Sequence, residues 1–284
     1  MRLIFVHGRS QGAKSSEILR NEWLKALRIG CDEAGTPLPN SLDVKAPFYA
    51  EFLDRETAEG PPKGIPTYGS TAGPPPFPAE ILLELAERAG ITDQEITEAL
   101  EVPVLTRGPE NWEWVRAAAR LLSDRVPFLT EELIRRFTAD VHAYLLFPHV
   151  RKGVNGIVST ELGTEPAVVV SHSLGSVVAY CVLTDHQTPP PVPLMATLGS
   201  PLGIQAIKRR LSPPLGKPSC IQEWFNAADM RDPIALYPNL GGDNFPAPIE
   251  NHPYVKNPQD NPHGIVGYLS DPVVAKKIAA ALSA

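Results

Sequence analysis

The pattern of hydrophobic and polar positions predicts several strands, and two of them, residues 3–6 and 167–170, are short apolar runs. Residues 3–6 show the pattern most clearly, because the run ends abruptly at Gly8. Runs that are apolar throughout fit strands buried on both faces of a sheet. The further predicted strands are residues 42–48, 167–170, 194–198, 221–227 and 249–255.

Between these runs, apolar positions recur at the spacing of a helix. In residues 16–29, Leu19, Trp23 and Leu27 lie on one face, and Gly30 is predicted to cap the end of the helix. Strands that alternate with helices favour an α/β protein, doubly wound, with a mostly parallel sheet and helices on both faces. The other predicted helices are residues 78–89, 92–100, 110–122, 130–147, 174–183 and 272–282.

Residues 50–127 interrupt this alternation. Within them, residues 60–78 are so rich in proline and glycine that we expect no regular structure there, while the remainder is helical. We therefore expect a single domain over residues 1–284 with a helical, proline-rich insertion at 50–127. The insertion is interpreted as a mobile cap over a site at the sheet edge. An inert helical appendage on the side of the domain is the alternative.

Composition places the chain among soluble globular proteins and argues against one class of partner, nucleic acid. Its 284 residues are 43% hydrophobic and 20% charged, and the net charge of −6 argues against nucleic-acid binding. We identify neither a secretory signal nor a run of ~18 apolar residues, so we expect no membrane span and a cytoplasmic location. The three cysteines are too few and too scattered for a disulfide framework or a zinc site.

The strongest chemical signal lies where the predicted strand 167–170 turns into a helix. Residues 171–175 read Ser-His-Ser-Leu-Gly, which is close to the G-x-S-x-G nucleophile elbow with Ser171 in place of the first glycine. Such an elbow exposes a serine oxygen, here that of Ser173, on a strained strand-to-helix turn. An ordinary junction in which Ser173 caps the helix is the alternative. His172 is a poor candidate for the base, because neighbouring strand side chains point to opposite faces.

A His-Gly pair, His7 followed by Gly8, ends the first strand, and with the elbow it makes the chain resemble the α/β-hydrolase superfamily in its lipase and esterase branch. In that family the backbone N–H groups of the residue after His-Gly and of the residue after the nucleophile form the oxyanion hole. The resemblance therefore implies Arg9 and Leu174 as donors. His7 itself is expected to hold the loop.

The resemblance covers residues 1–48 and 128–284 and implies a reduced α/β-hydrolase fold. The first predicted strand corresponds to the family's third strand, so we expect the two edge strands before it to be missing. The resemblance does not explain residues 50–127, which is why they are treated as an insertion.

The family also implies an acid and a base that follow the serine in the order Ser, Asp, His. Asp232 begins an Asp-Pro-Ile segment that resembles the family's acid-bearing segment, and Asp229 is the alternative acid. His263 lies in a predicted loop with Tyr268 a few residues on, as the family's catalytic histidine often does. His252 is the alternative base.

Taken together, the resemblance implies a serine hydrolase that cleaves a small-molecule or lipid acyl ester through an acyl-enzyme on Ser173. This chemistry needs no cofactor and no metal ion. A peptidase, a thioesterase and a non-catalytic protein that binds a ligand or partner on the same fold stay open as alternatives. The sequence points to no particular protein partner.

Two other motifs point to different functions, and we reject both. Residues 8–15 almost match a phosphate-binding P-loop, but Ala13 stands where the glycine before the lysine is needed. Residues 85–92 resemble the start of a helix-turn-helix. Its second helix carries several acidic residues and no Lys or Arg, so it would be repelled by DNA phosphates.

Overall fold

The computed structural model describes residues 1–8, 14–58, 76–100, 107–126, 129, 131–242 and 244–284. The strands are β1 (Arg2–Val6), β2 (Asp43–Lys45), β3 (Ala167–His172), β4 (Val192–Leu198), β5 (Ile221–Ala227) and β6 (Glu250–His252). The helices are α1 (Ser16–Glu33), α2 (Ala50–Ala58), α3 (Pro76–Arg88), α4 (Asp93–Glu98), α5 (Trp112–Arg125), α6 (Glu131–Leu146), α7 (Pro148–Leu162), α8 (Leu174–Asp185), α9 (Gln205–Lys208), α10 (Ile265–Ser270) and α11 (Pro272–Ser283). A short 3₁₀ helix covers Pro201–Gly203.

Within the described residues, six strands form one all-parallel sheet in the order β2-β1-β3-β4-β5-β6. The predicted α/β class with a parallel sheet is confirmed. The chain runs from β1 outward to β2 on one side, whereas β3 and the later strands extend on the other side. Ligands of open α/β sheets bind beyond the carboxyl ends of the strands at such a reversal. The ends of β1 and β3, where Val6 lies opposite Ser171, are thus the first place to look for a site.

Helices cover both faces of the sheet. One face packs against α1, α10 and α11 in a continuous apolar core that includes Phe225 of β5 and Trp23 of α1. Trp224, the neighbour of Phe225, points to the opposite face and stacks on Tyr180 of α8, with ring centroids 5.8 Å apart. The helix α8 is buried from Leu174 through Leu183, as expected for an element that covers the centre of a sheet.

The prediction that Gly30 ends α1 is wrong, since the helix continues to Glu33. A Cβ atom added to Gly30 would lie 2.7 Å from the Ala275 Cβ and 2.8 Å from the Leu269 carbonyl oxygen. The glycine therefore lets α1 approach α10 and α11 closely, and its role is in packing rather than in capping.

Replacing Gly30 by alanine is expected to destabilise the fold by about 1–3 kcal/mol, because the added methyl overpacks the contact with α11. Gly156 of α7 is a matched control, since a Cβ there meets no atom within 4 Å. Gly156→Ala should stabilise the protein by up to about 1 kcal/mol through helix propensity alone. Urea unfolding midpoints measure both effects. A stabilising Gly30→Ala would contradict the packing role.

By its internal contacts the chain divides into two compact units. The first consists of Met1–Phe52, Lys152–Gly203 and Leu211–Ala284 and contains the sheet. The second consists of Leu53–Arg151 and Ile204–Arg210. The helical unit thus continues beyond residue 127 as far as Arg151. No helix in the part of the chain that the structure describes is long and apolar enough to span a bilayer.

The second unit is helical, and side chains tie its separate segments together. A capping box begins α4: the Glu95 N–H donates to Thr92 Oγ1 at 3.2 Å, and the Thr92 N–H donates to Glu95 Oε2 at 2.7 Å. Glu84 of α3 accepts the Gln205 N–H at 2.8 Å and so caps α9. Arg210 binds both carboxylate oxygens of Glu80 at 2.8 and 3.1 Å.

The proline-rich stretch predicted to lack regular structure is largely outside the described residues, which resume at residue 76. Its last three residues, 76–78, instead form the first turn of α3. Proline is tolerated in a first turn, because the N–H groups there have no partner within the helix. The interpretation of residues 50–127 as a cap stays a prediction.

Candidate active site

The turn from β3 into α8 has the strained backbone expected of a nucleophile elbow. Ser173 has φ 55° and ψ −132°, and it is the one non-glycine residue with positive φ among the residues described. Such a conformation costs free energy and is kept where the surroundings enforce it. Gly175 allows the close approach that the turn needs, because a Cβ there would collide with the Val6 carbonyl oxygen at the end of β1.

The side chains of the elbow do not fit the alternative of a simple helix cap. Within the described α8, the Ser173 side chain makes no capping hydrogen bond. Ser171, which stands where the motif has its first glycine, is buried, and its hydroxyl donates to the Ala196 carbonyl oxygen on β4 at 3.1 Å. A serine fits this position because its one polar atom has a partner.

Ser173, Asp232 and His263 lie together at the carboxyl edge of the sheet. The His263 Nδ1–H donates to Asp232 Oδ2 at 2.7 Å, and the Ser173 hydroxyl donates to His263 Nε2 at 2.8 Å. Asp232 is buried, and its other oxygen, Oδ1, accepts the N–H groups of Ile234 and Ala235 at 2.9 and 3.2 Å. The three predicted residues therefore form one chain of hydrogen bonds from carboxylate to imidazole to hydroxyl.

The alternative acid, Asp229, has other partners. Its Oδ1 accepts the Arg231 Nε–H at 3.0 Å, and its Oδ2 accepts the Asn257 N–H at 2.8 Å. Burial raises the pKa of the Asp229 carboxyl, but the hydrogen bonds and charge of Arg231 and the Asn257 N–H outweigh it, so that the pKa falls below its ordinary value. The carboxylate of Asp229 is thus ionised and held by these groups.

The alternative base, His252, lies on the edge strand β6. Its Nε2 is 3.4 Å from Asp271 Oδ1 at the start of α11. Its ring stacks on Phe225 with centroids 6.5 Å apart and meets Tyr254 edge-on at 6.0 Å. These contacts are with the closing helix and the outer strands, and none of them involves the serine.

Of the two predicted oxyanion donors, Arg9 lies outside the described residues. Leu174 is the first residue of α8, so its N–H is at the positive end of the helix dipole. His7 holds the adjoining loop: its Nδ1–H donates to the Gly8 carbonyl oxygen at 2.5 Å and its Nε2 accepts the Tyr49 N–H at 3.2 Å. Burial lowers the pKa of His7 to about 4, so the ring is neutral.

Two residues without a predicted role hold the loop that carries His263. The His172 Nε2–H donates to the His263 carbonyl oxygen at 2.9 Å, and Asn257 Nδ2–H donates to the Pro262 carbonyl oxygen at 2.7 Å. Burial, and then the neighbouring His263, hold the pKa of His172 well below its usual value. A neutral His172 is thus a donor to the loop rather than a base.

Tyr268 contacts the acid directly, with its hydroxyl donating to Asp232 Oδ2 at 2.7 Å. The sequence indicates Tyr268 only through its spacing from His263, and it gives no sign of the partner oxygen. Within the stretches that the structure describes, no group of three or more His, Cys, Asp or Glu side chains is arranged to hold a metal ion.

The fold and the site together define an α/β protein with an Asp-His-Ser hydrogen-bond chain beside the switch point of a parallel sheet. In such a chain the carboxylate orients the imidazole, and the imidazole can take a proton from the serine as it attacks. Comparisons of the chain with protein-family models, with curated proteins and with solved structures found no match. A functional assignment therefore rests on the geometry of the site.

Proposed function

We propose that this protein is a serine hydrolase of the α/β-hydrolase kind that cleaves acyl esters. The observation that carries the proposal is the Asp232–His263–Ser173 chain, with hydrogen bonds of 2.7 and 2.8 Å, ending on a serine with positive φ. A strained nucleophilic serine at a strand-to-helix turn, followed along the chain by its acid and then its base, is the arrangement of that fold.

In the proposed reaction, Ser173 Oγ attacks the acyl carbonyl carbon while His263 Nε2 takes the hydroxyl proton. Asp232 holds the Nδ1–H tautomer of His263, which leaves Nε2 free to accept, and it stabilises the imidazolium that forms. The tetrahedral intermediate collapses when the C–O bond to the leaving alcohol breaks and His263 returns the proton to that oxygen.

Water then releases the acyl group by the same steps, with water as the nucleophile and Ser173 Oγ as the leaving group. His263 Nε2 takes a proton from the water that attacks the acyl-enzyme, and it returns that proton to Ser173 Oγ when the carboxylic acid leaves. The backbone N–H groups of Arg9 and Leu174 are the donors that the resemblance implies for the oxyanion in both stages. Donors that are already oriented toward the developing oxyanion stabilise it without reorganising during the reaction.

A fluorophosphonate probe tests the proposal most directly, because an activated serine displaces fluoride from phosphorus and keeps the phosphonyl group. We expect peptide mass spectrometry to find the adduct on Ser173. The Ser173→Ala variant should show no adduct, and Ser171→Ala, altered two residues earlier in β3, should be labelled as the wild type is.

The outcome of this labelling separates the candidate functions. A folded wild-type protein that is not labelled would contradict the hydrolase and favour a protein that binds a ligand without catalysis. If labelling succeeds, p-nitrophenyl esters of graded chain length should be hydrolysed faster than a thioester or a peptide control. Faster cleavage of either control would move the proposal to a thioesterase or a peptidase on the same fold.

A further inference from the structure

We infer that Tyr268 is a positioning residue that sets the pH range of the reaction by sharing an oxygen of the acid with the base. The inference rests on the proposed hydrolase function. The Tyr268 hydroxyl donates to Asp232 Oδ2 at 2.7 Å, and this same oxygen accepts the His263 Nδ1–H at 2.7 Å. One carboxylate oxygen of Asp232 therefore accepts hydrogen bonds from both an imidazole N–H and a phenol O–H.

The hydroxyl of Tyr268 is itself fixed in direction. Besides donating to Asp232, its oxygen accepts the Asp229 N–H at 3.0 Å, so its one proton is committed to the carboxylate. The Tyr268 side chain belongs to α10 and is fully buried in the apolar core that covers one face of the sheet. The turn that bears Asp229 and Asp232 is thereby held against the helix that follows His263.

The proton of this hydroxyl stays in place across the range of an activity assay. Burial, and next the charge of Asp232, raise the pKa of Tyr268 far above its ordinary value. The side chain is consequently a permanent donor, and it withdraws negative charge from the oxygen that faces His263. Hydrogen bonding to an ionised group spreads its charge and weakens its pull on a third group.

Among the residues that the structure describes, few other charges could act on this contact. Asp229 faces the hydroxyl, but Arg231 neutralises its carboxylate, and the His172 ring, 5.9 Å from that of Tyr268, is neutral. The core cluster around Tyr268 takes apolar side chains from α1 and α11, together with Cys31, whose pKa burial raises to about 11. The hydrogen bond from Tyr268 thus acts on the Asp232 oxygen that faces His263, while the Ile234 and Ala235 N–H groups bind the other oxygen.

Tyr268→Phe removes this hydroxyl and keeps the ring in the core. Without the phenol donor, the negative charge on Asp232 Oδ2 attracts His263 more strongly. It therefore favours the imidazolium, which cannot act as the base. The acidic limb of the kcat/KM profile for a p-nitrophenyl ester should therefore move to higher pH by about 0.5–1 unit. On the plateau, poorer alignment should lower kcat by up to about 100-fold.

Tyr180→Phe is the matched control, because it also deletes a buried hydroxyl that accepts a backbone N–H, from Gly216 at 3.3 Å, on the opposite face of the sheet. Its profile should coincide with that of the wild type. A Tyr268→Phe profile whose acidic limb stays at the wild-type position would overturn the inference, even if kcat falls. A wild type with neither ester hydrolysis nor fluorophosphonate labelling would instead overturn the proposed function.

A second variant covers the case in which Tyr268→Phe does not fold. Introducing 3-fluorotyrosine at position 268 by stop-codon suppression keeps both hydrogen bonds and makes the phenol a stronger donor. More charge is then withdrawn from Asp232 Oδ2, so the acidic limb should move to lower pH, opposite to its movement in the phenylalanine variant. An unchanged or upward-shifted limb in this variant would contradict the inference.

Discussion

Replacing Ser173 by alanine is expected to abolish ester hydrolysis, with a loss in kcat of ~10⁴-fold or more. Within the Asp232–His263–Ser173 chain, the group that donates to His263 Nε2 is the Ser173 hydroxyl. Without it the imidazole has no proton to remove and no acyl-enzyme can form. Members of such a chain act as a unit, so the loss of the serine should remove nearly all of their joint effect. Initial rates with a p-nitrophenyl ester, normalised to folded protein, measure the effect.

Ser171→Ala is the control for this variant, since Ser171 lies in β3 two residues before Ser173 and both side chains are buried. Its hydroxyl donates to the Ala196 carbonyl oxygen, away from the reacting atoms. We expect this variant to lose about 1–2 kcal/mol of stability and to keep most of its turnover. Hydrolysis by Ser173→Ala above roughly a tenth of the wild-type rate would contradict the assignment of the nucleophile.

The central strands could be predicted closely from the sequence because most of their positions are buried. β3 is buried along its whole length. β5 spans the predicted residues, Ile221–Ala227, although Gln222 and Glu223 within it are exposed. At the edges the prediction is too long: β2 and β6 have three residues each, against predicted runs of 42–48 and 249–255. Each of these strands ends before a proline, Pro47 or Pro253, which has no N–H to donate to a neighbouring strand.

Among the helices that were not predicted, α7 and α10 were missed for different physical reasons. α7 does carry an apolar stripe at intervals of four residues, but Gly153 and Gly156 lower its helix propensity. α10 has six residues, which is too short to show a helical period, and it begins directly after Gly264. Packing against α1 and α11 stabilises α10, and this contact is invisible in the local sequence.

The elbow could be recognised because its signal is local, whereas the partners of the serine depend on distant contacts. Asp229 binds Asn257, 28 residues further along the chain, while Asp232 binds His263, 31 residues further along. The bond between His172 and His263 joins residues 91 positions apart. Contacts of this kind follow from strand order, so a motif can name the candidates but cannot choose between them.

The same contacts predict that Asp232→Asn lowers kcat by ~10⁴-fold without unfolding the protein. The Ile234 and Ala235 N–H groups bind Oδ1, so an asparagine here keeps its oxygen at that position and turns its amide NH₂ toward His263. The NH₂ donates to Nδ1 and forces the other tautomer of the ring. His263 then carries its proton on Nε2 and cannot accept the proton of Ser173.

His263→Ala should cause a comparable loss, since it removes the base itself. The controls are the alternative acid and base: Asp229→Asn should cost about 1–3 kcal/mol of stability, because it weakens buried hydrogen bonds to a charged group, yet retain most of the turnover. His252→Ala should likewise leave turnover close to that of the wild type. Rates measured beside urea unfolding midpoints separate the two kinds of effect. If Asp229→Asn or His252→Ala lowered kcat more than Asp232→Asn or His263→Ala at unchanged stability, the role of acid or base would pass to that residue.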